Sequence, residues 1–467
     1  MERFIGRKDE LDGLKEFYEG TKYNTCSILG RRRIGKTTLI DEFVKDKESW
    51  RIQFLDSTFE SNMELINATM SGYLGRNVNY KTTLEFFAGL AEYIKDRKVV
   101  IVFDEFPFMI NCDKTFPSVT QHFIDTQIGK SKLIICGSSV KTMEYETGDY
   151  SRPLYGRTQI IRVGEMPIQD CLQFHPNLSE IDQLKLYLTT GGIPLYCDVP
   201  DFDDFDEYVK RYVLRPNSFF CREGESIIER ELSPKTKYMD ILDSMRGRRT
   251  TVNTISSKTG IDRDTCTDCL KKMMELKLVG ITEPMFGAPM KPKYYEIRDN
   301  MLALHFLAKR RIPTVSSESD RLLEAMRPMM STEHGFMFEN YCRNLILKSY
   351  PVKAIGTWWG SGPRTDRWGN VSDDSIEHDI DIAAEIVTGF NVINLAVECK
   401  YTNYPIGFDA LNELDSAIAC LKNKRTVRRM IMSPSGFKED LTEYAKENGI
   451  LLVDLDMLLE KKPMPEI

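Results

Sequence analysis

The sequence predicts an α/β protein with a parallel sheet, followed by a helical unit and by a second α/β unit. Short apolar runs alternate with helical patterns through the first 165 residues, an order that predicts parallel strands with right-handed crossovers. The continuous apolar run 99–103 suits a strand that is buried on both faces. Near the C-terminus, polar and apolar residues alternate on both sides of a turn at 388–391, which predicts a β-hairpin.

A glycine loop follows the first predicted strand, Cys26 to Leu29, and precedes a helical pattern that starts at Leu39. Strand, loop and helix form the context of a phosphate-binding loop, GxxxxGK[ST]. Backbone N–H groups of such a loop point at phosphate oxygens, and the helix N-terminus adds partial positive charge. We expect Lys36 to reach the β- and γ-phosphates of ATP, and the Thr37 hydroxyl to bind Mg²⁺. The predicted nucleotide-binding residues are Gly30, Arg31, Arg32, Arg33, Ile34, Gly35, Lys36, Thr37 and Thr38.

Two acids follow the apolar run 99–103. Carboxylates at the C-terminal end of a parallel strand lie at the ligand crevice of an open α/β sheet. Asp104 is predicted to hold Mg²⁺ through water, and Glu105 to polarise the attacking water. A third strand, Lys132 to Gly137, ends in Ser138 and Ser139, whose side chains are candidates to sense the γ-phosphate.

Composition narrows the class of protein. The chain has 467 residues, 42% hydrophobic and 28% charged, which is ordinary for a soluble globular protein of two to four domains. A net charge of −7 argues against a protein that coats nucleic acid through a globally basic surface. Eleven scattered cysteines without paired spacing suit reduced thiols. With neither a signal peptide nor a membrane-length apolar run, we expect a cytoplasmic protein.

Several short motifs resemble those of a family of prokaryotic AAA+ ATPases, often called the archaeal ATPase family, which is related to the STAND group. Phe4-Ile5-Gly6-Arg7 resembles a phrase that packs beside adenine in such proteins, so Phe4, Ile5 and Arg7 are implied to line the base pocket. Residues 151–157 are similar to the family's S-P-L-Y-G-R segment, which implies that Arg157 contacts a γ-phosphate; pairing with a local acid is the alternative. Residues 190–196 resemble a phrase of the family's helical lid.

Residues 236–298 predict a winged helix. Three helical segments, 238–245, 252–259 and 263–278, precede a hairpin of 279–283 and 293–297, and Asp262 is placed to cap the third helix. Its candidate recognition residues are Arg263, Lys271, Lys272, Lys291 and Lys293. DNA contact and protein docking remain equally open, because neighbouring aspartates dilute the charge.

The C-terminal hairpin places Asp381 near Glu398 and Lys400, since alternate residues of a strand share a face. One aspartate followed by Glu-x-Lys resembles the PD-(D/E)xK nuclease superfamily. That resemblance implies metal-binding carboxylates, a water-orienting lysine and a helical glutamate, here Glu339. The match to the superfamily motif is incomplete, because no proline precedes Asp381. Asp379 is an alternative candidate for the metal-binding role of Asp381. A basic cluster, which tracks a phosphate backbone or is simply solvated, comprises Lys422, Lys424, Arg425, Arg428 and Arg429.

Taken together, the sequence predicts a P-loop ATPase core at 1–165, a helical lid and linker at 166–235, a winged helix at 236–312, and a restriction-endonuclease-like domain at 313–467. We expect ATP and Mg²⁺ as cofactors, DNA as a partner, and self-association through the ATPase domain. The predicted activity is ATP hydrolysis that controls a metal-dependent nuclease. The alternative is a STAND-like switch that binds DNA or protein without cutting.

Overall fold

The computed structural model describes residues 4–215, 218–232, 234–245, 249–288, 290, 292–309, 319–365, 371–421 and 426–467. The chain divides into two compact units. Unit 1 comprises residues 1–174 and 192–199, and unit 2 comprises residues 175–191 and 200–467. In the described part of the chain, none of the helices combines the length and the hydropathy that a membrane crossing requires.

Unit 1 alternates strands and helices. Its elements up to residue 171 are α1 (Lys8–Glu19), β1 (Thr25–Leu29), α2 (Lys36–Val44), β2 (Ser49–Gln53), α3 (Phe59–Leu74), α4 (Thr83–Ile94), β3 (Val100–Asp104), α5 (Phe106–Cys112), α6 (Phe116–Thr126), β4 (Lys132–Cys136), α7 (Val140–Gly148), β5 (Thr158–Arg162) and α8 (Ile168–Cys171). Helix α9 (Glu180–Thr190) belongs to unit 2, and the chain returns to unit 1 for α10 (Pro194–Cys197).

The sheet of unit 1 has five strands in the order β2-β3-β4-β1-β5, and each neighbouring pair is parallel. The predicted parallel sheet is therefore confirmed. Every residue of β1, β3 and β4 is buried, in agreement with their mostly apolar sequences. Because all five strands point the same way, the loops that follow β1, β3 and β4 lie along the same edge.

Unit 2 continues through helices and two sheets. Its remaining elements are α11 (Phe205–Tyr208), a π-helical segment (Val209–Leu214), α12 (Phe219–Glu231), α13 (Lys235–Ser244), α14 (Val252–Thr259), α15 (Arg263–Glu275), β6 (Val279–Thr282), β7 (Tyr294–Ile297), α16 (Asn300–Lys309), α17 (Ser319–Ser349), β8 (Val352–Thr365), β9 (Val371–Thr388), β10 (Asn391–Cys399), α18 (Phe408–Ala419), β11 (Val427–Met432), α19 (Glu439–Asn448), β12 (Leu451–Val453) and α20 (Leu455–Leu458).

We call residues 249–298 the helix–hairpin segment. In it, α14 and α15 precede the antiparallel pair β6 and β7. The carboxylate of Asp262 accepts the backbone N–H of Thr265 at 2.8 Å, so the predicted cap of α15 is confirmed. Strands β6 and β7 form the hairpin that the sequence predicted. Whether the segment acts as a winged helix stays a prediction.

The larger sheet of unit 2 has the order β12-β11-β10-β9-β8, antiparallel across β8, β9 and β10 and parallel from β10 to β12. The predicted hairpin is present, with Asn391 opposite Thr388. Residues 319–331, near the start of the predicted C-terminal domain, belong to the long helix α17. Leu323, Met326 and Met330 recur at helical spacing and are buried, and the helix continues past Pro328.

Candidate functional site

The glycine loop between β1 and α2 has the backbone geometry of an anion-binding concavity. Gly35 has φ +88°, and Arg33, although not a glycine, has φ +68°. Successive residues of this kind turn their N–H groups toward a common centre, and α2 begins directly behind them at Lys36. Gly30 cannot carry a side chain, because a Cβ atom there would lie 2.6 Å from the carbonyl oxygen of Val163.

Lys36 is folded back onto its own loop. Its ammonium donates to the carbonyl oxygens of Gly30 at 2.7 Å and Arg31 at 3.0 Å, and the side chain is buried. Burial lowers the pKa of Lys36, and the charges of Glu105 and Asp104 act in the opposite direction. The acids at the end of β3 therefore stabilise the charged form of Lys36, and a bound polyphosphate would stabilise that form further.

Asp104 ends β3 and is buried, and its two oxygens have different surroundings. Oδ1 accepts the thiol of Cys136 at 2.9 Å and the backbone N–H of Glu105 at 3.0 Å. Oδ2 lies 3.9 Å from Nε of Arg51. The pKa of Cys136 is raised well above its usual range by burial and by the charge of Asp104, so this thiol is a proton donor to the carboxylate.

Glu105 follows β3 and is held by Ser138, which lies just after the neighbouring strand β4. The backbone of Glu105 has φ +53°, and its Oε2 accepts the backbone N–H and the hydroxyl of Ser138, each at 3.0 Å. The predicted water-polarising acid and the predicted γ-phosphate sensor therefore contact each other directly. Ser139 instead caps α7, since its hydroxyl accepts the N–H of Thr142.

These residues line a cavity of about 380 Å³ in unit 1. Its polar side comprises Arg32, Arg33, Gly35, Lys36, Thr37, Thr38, Asp104, Glu105 and Ser138. Its other side comprises Phe4, Ile5, Ile34, Met166, Phe174, Pro194, Leu195 and Asp198, together with Arg7. Gly30 and Arg31 do not line the cavity but accept from Lys36. Phe4, Ile5 and Arg7 of the N-terminal motif thus line the same cavity as the glycine loop. Contact of these residues with adenine stays a prediction.

Arg157 lies apart from this cavity. Its Nε donates to both carboxylate oxygens of Asp125, at 2.9 and 3.0 Å, and the residue is absent from the cavity lining. This contact is the local ion pair that the sequence left open as the alternative. A role for Arg157 at a γ-phosphate stays a prediction.

The residues of the loop site fit a magnesium–nucleotide complex. Thr37 is exposed at the start of α2 and faces the same cavity as Asp104. A hydroxyl and a carboxylate are hard oxygen donors, and Mg²⁺ is usually held by one or two such groups together with phosphates and water. Cys136 and a backbone N–H engage Oδ1 of Asp104, so Oδ2, which lies 3.9 Å from Nε of Arg51, is the oxygen that would bind magnesium or its water.

The second group of predicted site residues lies in unit 2, around a cavity of about 710 Å³. The lining includes all four residues of the predicted nuclease motif, and other acids besides: Glu339, Asp381, Glu398, Lys400, Glu377, Asp379, Asp409 and Glu413. Glu339 comes from α17, Asp381 from β9 and Glu398 from β10. Folding therefore brings the four sequence-distant residues to one place.

Each of the three candidate metal-binding carboxylates has an internal partner. Glu339 Oε2 accepts from Arg249 Nη2 at 3.0 Å. Asp381 Oδ2 accepts the backbone N–H of Cys399 at 2.8 Å. Glu398 Oε1 lies 2.7 Å from Nζ of Lys400, which also reaches Glu413.

Burial and mutual repulsion destabilise the charged forms of these carboxylates. Burial, with the charge of Asp381, raises the pKa of Glu339 to about 8. Burial, with the charge of Asp379, raises the pKa of Asp381 to about 6. Burial and Asp381 raise the pKa of Glu398 well above its usual range. The nearby cations therefore do not fully compensate the negative charge of these carboxylates.

In this arrangement the cluster does not fit a divalent cation. Among the described residues, no three His, Cys, Asp or Glu side chains converge closely enough to hold a metal ion. The residue types suit Mg²⁺ or Mn²⁺, but the carboxylate oxygens are turned toward the internal donors. A metal role for Glu339, Asp381 and Glu398 stays a prediction.

The basic residues predicted from sequence are only partly described. Lys422, Lys424, Arg425 and Lys291 lie outside the described residues. Arg429 donates to Asp415 at 3.2 and 3.3 Å, so it is a local ion-pair partner. Lys271 lies 3.4 Å from Asp268, and both side chains are exposed.

Sequence reasoning missed Cys136, Arg51 and Arg249. Cys136 was hidden in an apolar strand, where a cysteine is usually a small hydrophobic residue. Arg249 precedes a predicted helix and carries no motif. Only the approach of distant segments gives these residues a role: Cys136 lies 32 residues from Asp104 in sequence, and Arg249 lies 90 residues from Glu339.

Comparison with known proteins agrees with the loop site. A family model described as an ATPase domain predominantly from Archaea matches residues 4–197. An uncharacterized protein of Methanocaldococcus jannaschii is 27% identical over 381 residues, which cover 78% of this chain and 83% of that protein.

Two solved structures are also similar. The Walker-type ATPase of Pyrococcus abyssi has a TM-score of 0.48 and 19% identity, covering 65% of this chain and 96% of that one. The ORC2 protein of Aeropyrum pernix, solved as ADPNP and ADP complexes, has a TM-score of 0.42 and 12% identity, covering 71% of this chain and 97% of that one. Residues 4–197, which contain the glycine loop, Asp104 and Glu105, are the part of the chain that is similar to this archaeal-type ATPase domain.

Proposed function

We propose that the chain binds and hydrolyses ATP in the cavity of unit 1, and that its nucleotide state controls a DNA-binding, metal-dependent nuclease in unit 2. The observation that carries the ATPase half is the convergence of Lys36, Asp104 and Glu105 on one cavity behind a positive-φ loop. The nuclease half rests on Asp381, Glu398, Lys400 and Glu339 lining a second cavity.

The loop holds the phosphates of ATP. Its N–H groups and the start of α2 bind the phosphate oxygens, and Lys36 leaves the carbonyl oxygens of Gly30 and Arg31 to bind the β- and γ-phosphates. Phe4, Met166 and Phe174 contact the base. Magnesium, when bound through Thr37 and Asp104, neutralises charge on the transferred phosphoryl group.

Glu105 orients the attacking water and accepts its proton. Its Oε2 accepts from the N–H and the hydroxyl of Ser138, so one oxygen is already engaged. Glu105 must share or release Ser138 when it contacts water. Ser138 therefore sets the position of the catalytic carboxylate relative to the γ-phosphate.

A non-cutting STAND-like switch is the second candidate. It is favoured by the internal partners of the three unit 2 carboxylates, which leave no three-ligand metal group among the described residues. In this reading ATP binding alters assembly, and unit 2 binds DNA or protein without cleaving it.

Phosphate release from ATP with Mg²⁺ tests the ATPase half. Glu105→Gln should keep nucleotide affinity and lower kcat by about 10²–10⁴-fold, because it removes the proton acceptor. Lys36→Ala should weaken binding by about 10–100-fold, the cost of a lost charge-assisted hydrogen bond. The matched control is Glu144→Gln, which changes a partly exposed glutamate paired with Arg162. Equal kcat for Glu105→Gln and wild type would refute the role of Glu105.

Cleavage of plasmid and single-stranded DNA tests the nuclease half. The protein is incubated with Mg²⁺ or Mn²⁺, with and without ATP, beside Asp381→Ala and Lys36→Ala. Cleavage that is lost in Asp381→Ala and altered in Lys36→Ala supports an ATP-controlled nuclease. ATP hydrolysis without cleavage under any condition favours the switch.

A further inference from the structure

Arg249 is a partly buried cation, 20% exposed, at the edge of the carboxylate cluster in unit 2. Its Nη2 donates to Glu339 at 3.0 Å, and its Nε lies 3.8 Å from Glu296 without a hydrogen-bond partner. Burial disfavours the charged guanidinium, but Glu339, Glu296, Asp381 and Asp379 outweigh that effect and raise the pKa of Arg249. The charge of Arg249 thus acts on the same carboxylates that line the large cavity.

The backbone of Arg249 is tied to the helix–hairpin segment. The next residue, Thr250, exchanges two backbone hydrogen bonds with Tyr295 of β7, at 2.9 and 2.8 Å. The same strand carries Glu296, and Arg298 follows it and donates to Asn340 of α17. The backbone next to Arg249 is therefore tied to β7 of the hairpin.

The hairpin is in turn attached to the edge of the large sheet. The N–H of Met285 donates to the carbonyl oxygen of Thr357 in β8, and the N–H of Thr357 donates to Glu283, both at 2.9 Å. Gly356 packs closely there, since a Cβ atom would lie 2.2 Å from the carbonyl oxygen of Glu283. These contacts hold Arg249 against Glu339.

We infer that Arg249 occupies the role of a cation at Glu339 and locks the carboxylate cluster in a metal-free form. Binding of a divalent cation requires the Arg249–Glu339 pair to open, so the helix–hairpin segment is autoinhibitory. This inference rests on the proposed metal-dependent function of unit 2. It accounts for the disagreement between a carboxylate set suited to Mg²⁺ or Mn²⁺ and the missing three-ligand group among the described residues.

Binding of Mn²⁺ alone, followed by electron paramagnetic resonance of the free ion, tests the lock in the full chain without nucleotide. The measurement is made at pH 8.5, above the raised pKa of Glu339 of about 8. Asp381→Asn defines the signal that belongs to sites outside the cluster. Arg249→Gln and Arg249→Ala should lower the Kd for Mn²⁺ at the cluster by about tenfold or more, because a competing charge is removed. Arg249→Lys should fall between them and wild type.

Arg298→Ala is the matched control. Arg298 belongs to the same polar network and pairs directly with Glu296 and Asn340, whereas Glu339 acts on it only through space. Its loss should therefore lower the Kd for Mn²⁺ clearly less than the loss of Arg249 does. Circular dichroism and ATP binding by unit 1 verify that each variant is folded. If Arg249→Ala does not fold, the Kd of Arg249→Gln alone tests the lock.

Unchanged or weaker Mn²⁺ binding in Arg249→Gln overturns the lock. Equal gains in Arg249→Gln and Arg298→Ala also overturn it, because the effect would then be general electrostatics. Tighter Mn²⁺ binding without DNA cleavage keeps the lock and removes the nuclease function. Cleavage by wild type with no effect of Arg249→Gln on Mn²⁺ binding keeps the nuclease and removes the lock.

Discussion

His334 should make unit 2 less stable in acid. The residue lies in α17, where its Nε2 is 3.0 Å from the hydroxyl of Thr189 and its ring packs against Phe205 and Tyr401. Burial, with a smaller contribution from Lys185, lowers the pKa of His334 from 6.5 to about 4. The folded protein therefore keeps a neutral imidazole at pH values where the unfolded chain is protonated.

The sign and size of the effect follow from this difference. Below pH 6.5 the unfolded chain binds a proton that the folded chain does not, so stability falls as the pH drops toward 4. One pKa unit corresponds to 1.36 kcal/mol, so the loss between pH 7 and pH 4.5 is about 2.5 kcal/mol. The neighbouring Glu333 acts oppositely, because burial raises its pKa to about 7. A comparison of wild type with a His334 variant cancels that contribution.

The variant is His334→Gln, which retains a polar group for Thr189 but does not titrate. Urea unfolding is followed by tryptophan fluorescence in a Trp50→Phe background, which removes the tryptophan of unit 1 and leaves Trp358 and Trp359 of β8 to report on unit 2. The advantage of histidine over glutamine in unfolding free energy should shrink by about 2.5 kcal/mol from pH 7 to pH 4.5. A difference that stays constant with pH would refute the buried neutral imidazole.

Three further changes test the packing and the magnesium site. Gly356→Ala should cost about 1–3 kcal/mol and lower Tm, because its Cβ atom would lie 2.2 Å from the carbonyl oxygen of Glu283. Gly335→Ala, in α17 with open space at its Cβ position, should instead stabilise by about 0.5–1 kcal/mol; two variants with equal Tm would contradict this reasoning. Cys136→Ala should raise the Mg²⁺ concentration for half-maximal ATP hydrolysis by about threefold to tenfold, and Cys136→Ser should restore it, because the lost donor to Asp104 is worth about 1 kcal/mol. Identical Mg²⁺ dependence in Cys136→Ala and wild type would rule out a positioning role.

Local segments of the fold were predictable because each depends on contiguous residues. The uninterrupted apolar runs of β3 and β4 predicted buried strands, and both are fully buried. Asp262 predicted the start of α15, since a cap needs only its own next three residues. The start of α17 was not predicted, although Leu323, Met326 and Met330 recur at helical spacing, because Pro328 lies inside the helix.

The sequence by itself determined the phosphate-binding loop and the acids that follow β3, because each is a short motif whose chemistry is set by adjacent residues. It did not determine the strand order, which places β4 between β3 and β1 and so brings Cys136 to Asp104. Nor did it show that Arg249 contacts Glu339. Those contacts join residues far apart in the chain, and they form only where packing removes the charges from water and leaves each carboxylate to the donor that folding brings nearest.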